Sequence, residues 1–511
     1  MTFTLVIIHW NTPELLEQQL TALHDLKHGE VIVIDNASSA SIHLLEESFP
    51  RVKFIYNQIN KGFSFACNQG LSQATGNWVM FLNSDVEIDE PRIENMIRFV
   101  EEKNLVAASP DFSNDDYKKP IPSFWSLFVE FTPLSTLISL SEASPLTLVG
   151  GCLLIKKTTL LGLQGWDERF FLWFEDSDLS KRLVEQKLPF ELIKDTGINH
   201  IGGTSLRTLT TQEQRTIFFL SLRLYAEKYF SCFGRNFLSA MTQKFSSNKL
   251  LPSDPKITAS IVVPNQTNTL LKKFLQHNYQ YFDFSMEELI VVSSAEISWD
   301  LKMTYPETIF IHSKQRLGFA AAVNLGLKRS RGLYLGTVND DVTLEKNWLK
   351  KLVAHFEDST ASLSPLILNR SGEVESLGIN VLPFGRAERL REIALERNSD
   401  TFNGACVIFC RKALEEVGLF DENFQSYLED IDLGLRFKKA GWINKTVSQV
   451  KVLHLGQQTS HDMGAQKNFL DFRNWWLVMI KNFPISHWFQ HLLPIFLERG
   501  RNLSGWLKAR N

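Results

Sequence analysis

Short apolar runs that stop at polar or acidic residues recur along this chain. Trp78-Val79-Met80-Phe81-Leu82 runs directly into Asn83-Ser84-Asp85. A run that short, with no polar alternation, predicts a strand buried on both faces, as in a parallel sheet. Thr4 to Ile8, Glu30 to Ile34 and Phe54 to Tyr56 have the same character. Thr12-Pro13, an N-cap residue followed by proline, starts a helix through Leu23, and Gly62 leads into another from Phe63. Strand and helix alternating in this order predict a right-handed, parallel α/β layer. Acids fall where the runs stop, at Asp35-Asn36 and at Asp85, and open α/β sheets bind ligands beyond the carboxyl ends of their strands. Each such Asp is either a turn acid or a ligand contact: Asp35 to a base or ribose hydroxyl, Asp85 to a divalent cation holding a diphosphate.

The second half of this region is less regular. Gly150-Gly151 open a strand over 147–156, where glycine admits either a close ligand or a bulge. The aromatic run Phe170 to Phe174 then meets Glu175-Asp176-Ser177-Asp178. Three acids in four residues cannot all face a core. Glu175, Asp178 and Arg182 suit a helix start and i,i+4 pairing. Asp176, directly after the aromatics, is the candidate general base, because apolar neighbours raise a carboxylate's pKa.

The whole pattern returns roughly 255 residues later, a spacing that marks domain duplication rather than a solenoid. Asn83-Ser84-Asp85-Val86 is answered by Asn339-Asp340-Asp341-Val342, and Asn60-Lys61-Gly62-Phe63 by Arg316-Leu317-Gly318-Phe319. Asn68-x-Gly70 is answered by Asn324-x-Gly326, Glu175-Asp176 by Glu429-Asp430, and His200 by His454. A boundary is expected within 245–256, where polar residues and Pro252 and Pro255 interrupt the apolar pattern. The expected organisation is a domain over 1–248, a second over 256–484 and an amphipathic tail over 485–511.

Composition narrows the picture only slightly. A length of 511 residues exceeds one core, and 44% hydrophobic with 22% charged residues is ordinary for a globular protein. A net charge of −3 gives no reason to expect nucleic acid. Five scattered cysteines suit a reducing compartment, and Cys406-x-x-x-Cys410, without a second pair, reads as buried thiols rather than zinc. Neither a signal peptide nor a membrane-length apolar run is seen, so a cytoplasmic location is expected. Aromatics gather over 121–148 and in the tail from His487 to Trp506, where Arg499, Arg501, Lys508 and Arg510 are interspersed. Such a tail either packs on its own domain or lies in a membrane interface.

Taken together, these residues resemble glycosyltransferase family 2, the inverting family with the GT-A fold, near its rhamnosyltransferase-like and galactofuranosyltransferase-like branches. The likeness covers about residues 2–230 and again 257–484. It implies two tandem GT-A type α/β domains, each a mostly parallel sheet flanked by helices, followed by a helical tail. It also implies a catalytic base at Asp176 and Asp430, and a Mn²⁺ or Mg²⁺ ion held by Asp85 with His200 and by Asp341 with His454; imidazole favours manganese. The nucleotide-sugar contacts it implies are Asn11, Asp35, Asn36, Lys61, Asn68, Asn83, Ser84, Gly151 and Glu175 in the first copy. In the second they are Ser293, Arg316, Asn324, Asn339, Asp340, Gly404, Glu429 and Arg473. Asn83 departs from the Asp that many members carry, which removes one charge from the site.

The implied reaction is a single displacement that inverts the anomeric centre, with a UDP- or dTDP-sugar as donor. The implied acceptor is a glycan or lipid-linked glycan of the bacterial surface, at the inner face of the plasma membrane. Ser293 stands where the first copy has Asp35, so two readings remain. Either both domains transfer sugars, or one is a degenerate copy that holds acceptor or acts as scaffold. A nucleotidyltransferase or a dehydrogenase would need a glycine-rich phosphate loop after the first strand, and His9-Trp10-Asn11 offers none.

Overall fold

The structure, a computed structural model, describes residues 2–112, 119–132, 145–202, 208–243, 245, 249–456 and 458–510, without the side chains of 458–465 and 508–510. The apolar stretch at Leu134–Leu140, picked out with the aromatics around it, lies outside the described residues. The chain divides into two compact units, Met1–Pro252 and Ser253–Asn511.

In the first unit the strands are β1 (Phe3–His9), β2 (Gly29–Asp35), β3 (Val52–Tyr56), β4 (Trp78–Asn83), β5 (Val86–Glu87), β6 (Ala107–Pro110), β7 (Cys152–Lys156), β8 (Phe190–Ile193) and β9 (Asn199–His200). Between and after them run α1 (Pro13–Ala22), α2 (His43–Ser48), α3 (Phe63–Gln73), α4 (Glu90–Glu102), α5 (Phe124–Glu130), α6 (Lys157–Gly162), α7 (Glu175–Glu185), α8 (Thr211–Tyr229) and α9 (Cys232–Gln243). Seven strands form one sheet in the order β3-β2-β1-β4-β7-β6-β8. The expected parallel layer is present over β3-β2-β1-β4, but β7 runs antiparallel to both β4 and β6. All seven residues of β1 are buried, which explains the unbroken apolar run. One core packs Leu16 and Leu20 of α1 and Met96 and Ile97 of α4 on Leu5, Val33 and Met80 of the sheet. Each such side chain contributes roughly 1.5–3 kcal/mol by leaving water.

Local signals account for the helix starts. Pro13 is the first residue of α1, although the hydroxyl of Thr12 turns away from the helix to Ser84 Oγ, 2.6 Å away. The Thr210 and Glu213 side chains close a capping box on α8. Gly62, at φ 90° and ψ 169°, precedes α3 in a region open essentially to glycine alone. It lets Phe63 N–H reach the Phe171 carbonyl at 2.9 Å.

The second unit repeats the plan with additions. Its strands are β10 (Ala259–Asn265), β11 (Glu287–Ser293), β12 (Ile309–His312), β13 (Tyr334–Val338), β14 (Val342–Thr343), β15 (Thr360–Leu368), β16 (Val374–Ser376), β17 (Ile379–Leu382), β18 (Arg386–Arg389), β19 (Glu396–Ser399), β20 (Cys406–Cys410) and β21 (Ile443–His454). Its helices are α10 (Asn268–Asn278), α11 (Trp299–Thr304), α12 (Phe319–Arg329), α13 (Trp348–Val353), α14 (Arg411–Val417), α15 (Glu429–Lys439), α16 (Gln458–Asn482), α17 (Ile485–Gln490) and α18 (Leu492–Arg510). The main sheet runs β12-β11-β10-β13-β20-β15-β21-β14, again with the central β20 reversed. β16 joins β15, β19 joins β21, and β17–β18 form a separate hairpin. The tail packs on its own domain: Ile495 and Arg499 of α18 are buried, and the Arg499 guanidinium lies 4.9 Å from the centre of the Trp475 ring. Among the described residues no helix is long and apolar enough to cross a membrane.

Candidate active site

The end of β4 and the hairpin after it bring the first candidates together. Val86 pairs with His200, so the short β5–β9 ladder lays the imidazole against the carboxylate just before it, with His200 Nε2 3.1 Å from Asp85 Oδ1. Both side chains are nearly buried. Gln19 of α1 fixes the loop by donating to the carbonyls of Asn83 and Val86. The second unit reproduces the arrangement: Val342 pairs with His454, Nε2 lies 3.3 Å from Asp341 Oδ1, and Asn278 donates to the Val342 carbonyl.

The reversed central strand connects these pairs to the candidate bases. A Cβ placed on Gly151 would meet Asn83 Nδ2 at 2.8 Å and the His200 ring at 3.5 Å, while one on Gly150 would meet Asp176 Cβ at 3.3 Å. Two consecutive glycines therefore span the gap between the Asp85–His200 pair and Asp176. In the second unit Gly404 N–H donates to Asp430 Oδ2 at 3.2 Å, and Asn339 N–H donates to the carbonyl of Ala405. In each domain the residues leading into the reversed strand therefore lie between the aspartate–histidine pair and the base candidate.

Both acid pairs begin a helix entered through left-handed bulky residues, Trp173-Phe174 before α7 and Tyr427-Leu428 before α15. Each such residue costs of order 1–3 kcal/mol, so the surroundings must enforce it. Ser221 Oγ donates to the Leu172 carbonyl, and Asn474 Nδ2 donates to the carbonyls of Phe424, Ser426 and Tyr427. Burial raises the pKa of Asp176 and of Asp430, partly offset by backbone donors at Gly150 and Ser177 and at Gly404 and Ile431. Burial, with the adjacent aspartate, pushes Glu175 up to about 8 and Glu429 well above the usual carboxylate range. One oxygen of each glutamate is buried without a hydrogen-bond partner. Burial also lifts Asp340 to about 7, although Asn265 donates to it at 2.6 Å.

Asp178 and Asp432, two residues on, are fully buried and belong to the scaffold. Asp178 accepts from Arg182 Nε at 2.8 Å, from Tyr229 at 2.7 Å and from Lys228. Arg182 in turn donates to the carbonyls of Leu163 and Gly165. Asp432 holds Arg436, Lys481 and Asn482 in the same way.

Several of the expected nucleotide contacts make bonds within the fold. Asn68 is tied to Trp166 and Glu168, and Asn324 to Phe420 and Glu422, each pinning a helix to a corresponding loop, Gly165-Trp166-Asp167-Glu168 in the first copy and Gly418-Leu419-Phe420-Asp421-Glu422 in the second. Asn36 donates to Asn60 and Gly62 and accepts from Asn57. Arg473 donates to the carbonyls of Asn423 and Phe424. Ser293 is fully buried, with its hydroxyl taken by Asn265 and Ala295. Lys61 is also fully buried, its ammonium 4.9 Å from the centre of the Phe65 ring. A residue type at the expected spacing cannot reveal this, because an internal bond and a ligand bond need the same side chain.

Asn11 and Asp35 meet at the ends of β1 and β2, where Ser38 binds both: its hydroxyl accepts from Asn11 N–H and its N–H donates to Asp35. Arg316 is exposed and donates to Gln266 after β10. His9 was not among the expected residues, yet it ends β1 opposite Asp35, fully buried, and burial lowers its pKa to about 4. It has no histidine counterpart in the second copy that could have flagged it. A separate surface group, His28, Glu90 and Glu94, has ligand-type atoms within 4.8 Å of one another, but Glu90 there already accepts from the backbone N–H groups of Lys27 and His28.

The donor set suits a divalent cation. Each site pairs one carboxylate oxygen with one imidazole nitrogen, and in the second the buried Asn339 Oδ1 has no hydrogen-bond partner. Asp85 and His200, or Asp341 and His454, are the residues that would hold it.

A stretch of 124 residues is 32% identical to the N-acetylglucosaminyl-diphospho-decaprenol L-rhamnosyltransferase of Mycobacterium tuberculosis, covering 24% of this chain and 33% of that protein. A stretch of 190 residues is 25% identical to the O-antigen biosynthesis protein RfbC of Myxococcus xanthus, covering 33% and 13%. The chain thus spans a third or less of the length of these two relatives. Among solved structures, the mannosyltransferase PcManGT from Pyrobaculum calidifontis in complex with GDP-Man and Mn²⁺ is 16% identical at a TM-score of 0.36, covering 58% of this chain and 85% of that one. The model of glycosyl transferase family 2 matches residues 4–157 and 273–418, more than half of the chain, one segment in each unit. The chain belongs to glycosyl transferase family 2, as two tandem domains of the GT-A type.

Proposed function

We propose that this chain is a bifunctional inverting hexosyltransferase that moves sugars from UDP- or dTDP-sugars to a growing, lipid-linked bacterial surface glycan, one sugar per domain. The observation that carries the reading is the placement of Asp176 and Asp430. Each is a half-buried aspartate of raised pKa, separated from an aspartate–histidine pair by the two residues that lead into a reversed strand. Asp176 takes the proton of the acceptor hydroxyl as it attacks the anomeric carbon, and Asp430 does the same in the second domain. A bound Mn²⁺ or Mg²⁺ would offset the charge of the departing diphosphate. Asp85 with His200 and Asp341 with His454 hold that cation. Asn11, Asp35, Asn83, Ser84 and Gly151 line the first donor site, and Arg316, Asn339, Asp340 and Gly404 the second. Glu175, pushed up to about 8, is neutral at pH 7 beside the first base, and Glu429, likewise raised by burial, sits beside the second.

The second reading, a single engine with a degenerate partner, draws on Ser293, whose hydroxyl is committed inside the fold where the first domain offers Asp35. Asp176→Asn and Asp430→Asn, made separately and assayed for donor turnover, decide between them. Two partial losses support two engines. Complete loss from one substitution and none from the other rejects them, and activity untouched by either rejects the assignment of the bases.

The domains are taken as 1–248 and 256–484, with 485–511 as a tail that meets the inner face of the plasma membrane. Ile485, Phe489, Leu493, Phe496 and Leu497 recur at helical spacing with their side chains exposed, and Arg501 beside them is exposed too. That combination suits an anionic lipid surface.

A further inference from the structure

His454 ends β21, and two carboxylates reach its ring from opposite sides. Asp341 Oδ1 lies 3.3 Å from Nε2, and Glu375 Oε2 lies 2.9 Å from Nδ1. Glu375 is itself anchored, because Arg389 donates to its other oxygen at 2.8 Å. The backbone explains how this acid arrives. After β15 the chain turns at Asn369, whose side chain accepts from the N–H groups of Ser371 and Glu373, and comes back as β16. Leu368 then pairs with Val374 on one side and Leu453 on the other, so Glu375 reaches the end of β21 across the end of β15. Arg389 closes the hairpin β17–β18 that follows. In the first domain Phe112 lies 5.5 Å from the equivalent His200, centre to centre.

We propose that Glu375 is a positioning residue for the cation site of the second domain: it accepts the Nδ1 proton of His454 and thereby turns the Nε2 lone pair toward the cation shared with Asp341. The inference rests on the assignment of Asp341 and His454 as metal ligands. Imidazole ligands commonly donate their other N–H to a carboxylate, which sets tautomer and ring orientation and raises basicity. With one Glu375 oxygen held by Arg389, the other is left aimed at the ring.

The test uses the full-length chain carrying Asp85→Asn, which impairs the first site, titrated with MnCl₂ while free Mn²⁺ is followed by its electron paramagnetic resonance. Glu375→Ala is expected to weaken Mn²⁺ binding about 10–100-fold. Glu375→Gln, which keeps an acceptor for Nδ1–H, should bind more weakly than the parent and more tightly than the Ala variant. Metal-free melting of each variant separates positioning from folding, since a purely structural Glu375 would move the melt and leave the affinity alone. Affinity equal to or above the parent in either variant overturns the proposal. If Glu375→Ala does not fold, the Gln variant decides alone by the same criterion. Asp341→Asn in the same background tests the ligand assignment separately. If it leaves the titration unchanged, the metal reading itself has failed and this inference falls with it. If it abolishes binding while the Glu375 variants have no effect, only the role of Glu375 is overturned.

Discussion

Replacing Asp178 by Asn removes the anion that Arg182, Lys228 and Tyr229 share in the first domain. Breaking a buried ion pair from one side costs about 3–5 kcal/mol, because the opposite charge stays buried without compensation. The lower end applies here, since Lys228 retains Asp167 at 2.8 Å and Arg182 retains the carbonyls of Leu163 and Gly165. For a domain of this size about 3 kcal/mol lowers the melting temperature by about 6–12 °C. Asp176→Asn, two residues away, should behave in the opposite manner. Burial raises the Asp176 pKa in the folded chain, so the ionised form is disfavoured there. Whatever stability its carboxyl contributes is present below the unfolded pKa and is lost as pH rises through the folded one. Asn carries no charge, keeps an oxygen for the Ser177 N–H, and should leave the melt at pH 7 unchanged or slightly higher while first-domain transfer is lost. Differential scanning calorimetry of the full-length chain reads both variants, with the second domain's transition as internal reference. An Asp178→Asn chain that melts with the parent, or an Asp176→Asn chain that melts several degrees lower, would refute this division of labour.

Gly62→Ala should lower the first domain's melting temperature by several degrees: the residue sits in a glycine-only region worth about 1–3 kcal/mol, and its Cβ would lie 2.6 Å from the Phe171 carbonyl oxygen. A melt within a degree of the parent counts against it. Because the carboxylate is the working form of Asp176 and burial raises its pKa, transfer by an Asp430→Asn chain should fall with decreasing pH above the ordinary aspartate range; a pH–rate profile flat down to that range contradicts the role. Chelation should abolish donor turnover, with Mn²⁺ restoring it better than Mg²⁺, and full turnover in excess EDTA would remove the cation from the scheme. Phe489→Ser with Leu493→Ser should reduce co-sedimentation with anionic lipid vesicles without shifting the melt, because these side chains are 75% and 68% exposed.

The strands that end in Asp35, Asp85 and Asp341 were legible because a fully buried strand leaves an unbroken apolar run with an abrupt end. Duplication was legible for the same reason, and it located the two histidines before any geometry did. The direction of β7 and β20 was not, since a strand buried on both faces has the same composition whichever way it runs. Asp178 was legible as the partner of Arg182 four residues on, but Lys228 and Tyr229, which α8 brings to the same carboxylate, were too far along the chain to be read. Asn36, Asn68 and Asn324 are all bonded within the fold, which their spacing does not reveal, because amide side chains near strand ends hold loops as readily as ligands. Glu375 left no trace because none of the repeated motifs falls near it.

The antiparallel course of β7 and β20 has a chemical consequence. Their parallel neighbours all finish at the cleft, whereas these two set out from it, with glycine at the threshold. The peptide that meets Asp430 therefore offers hydrogen, the Gly404 N–H, and the one at Gly150 does the same for Asp176. Carbonyl oxygens in that place would repel a carboxylate and drive it further toward its acid form. Turning one strand around tempers the effect of burial and keeps an anion available where a proton has to be taken up.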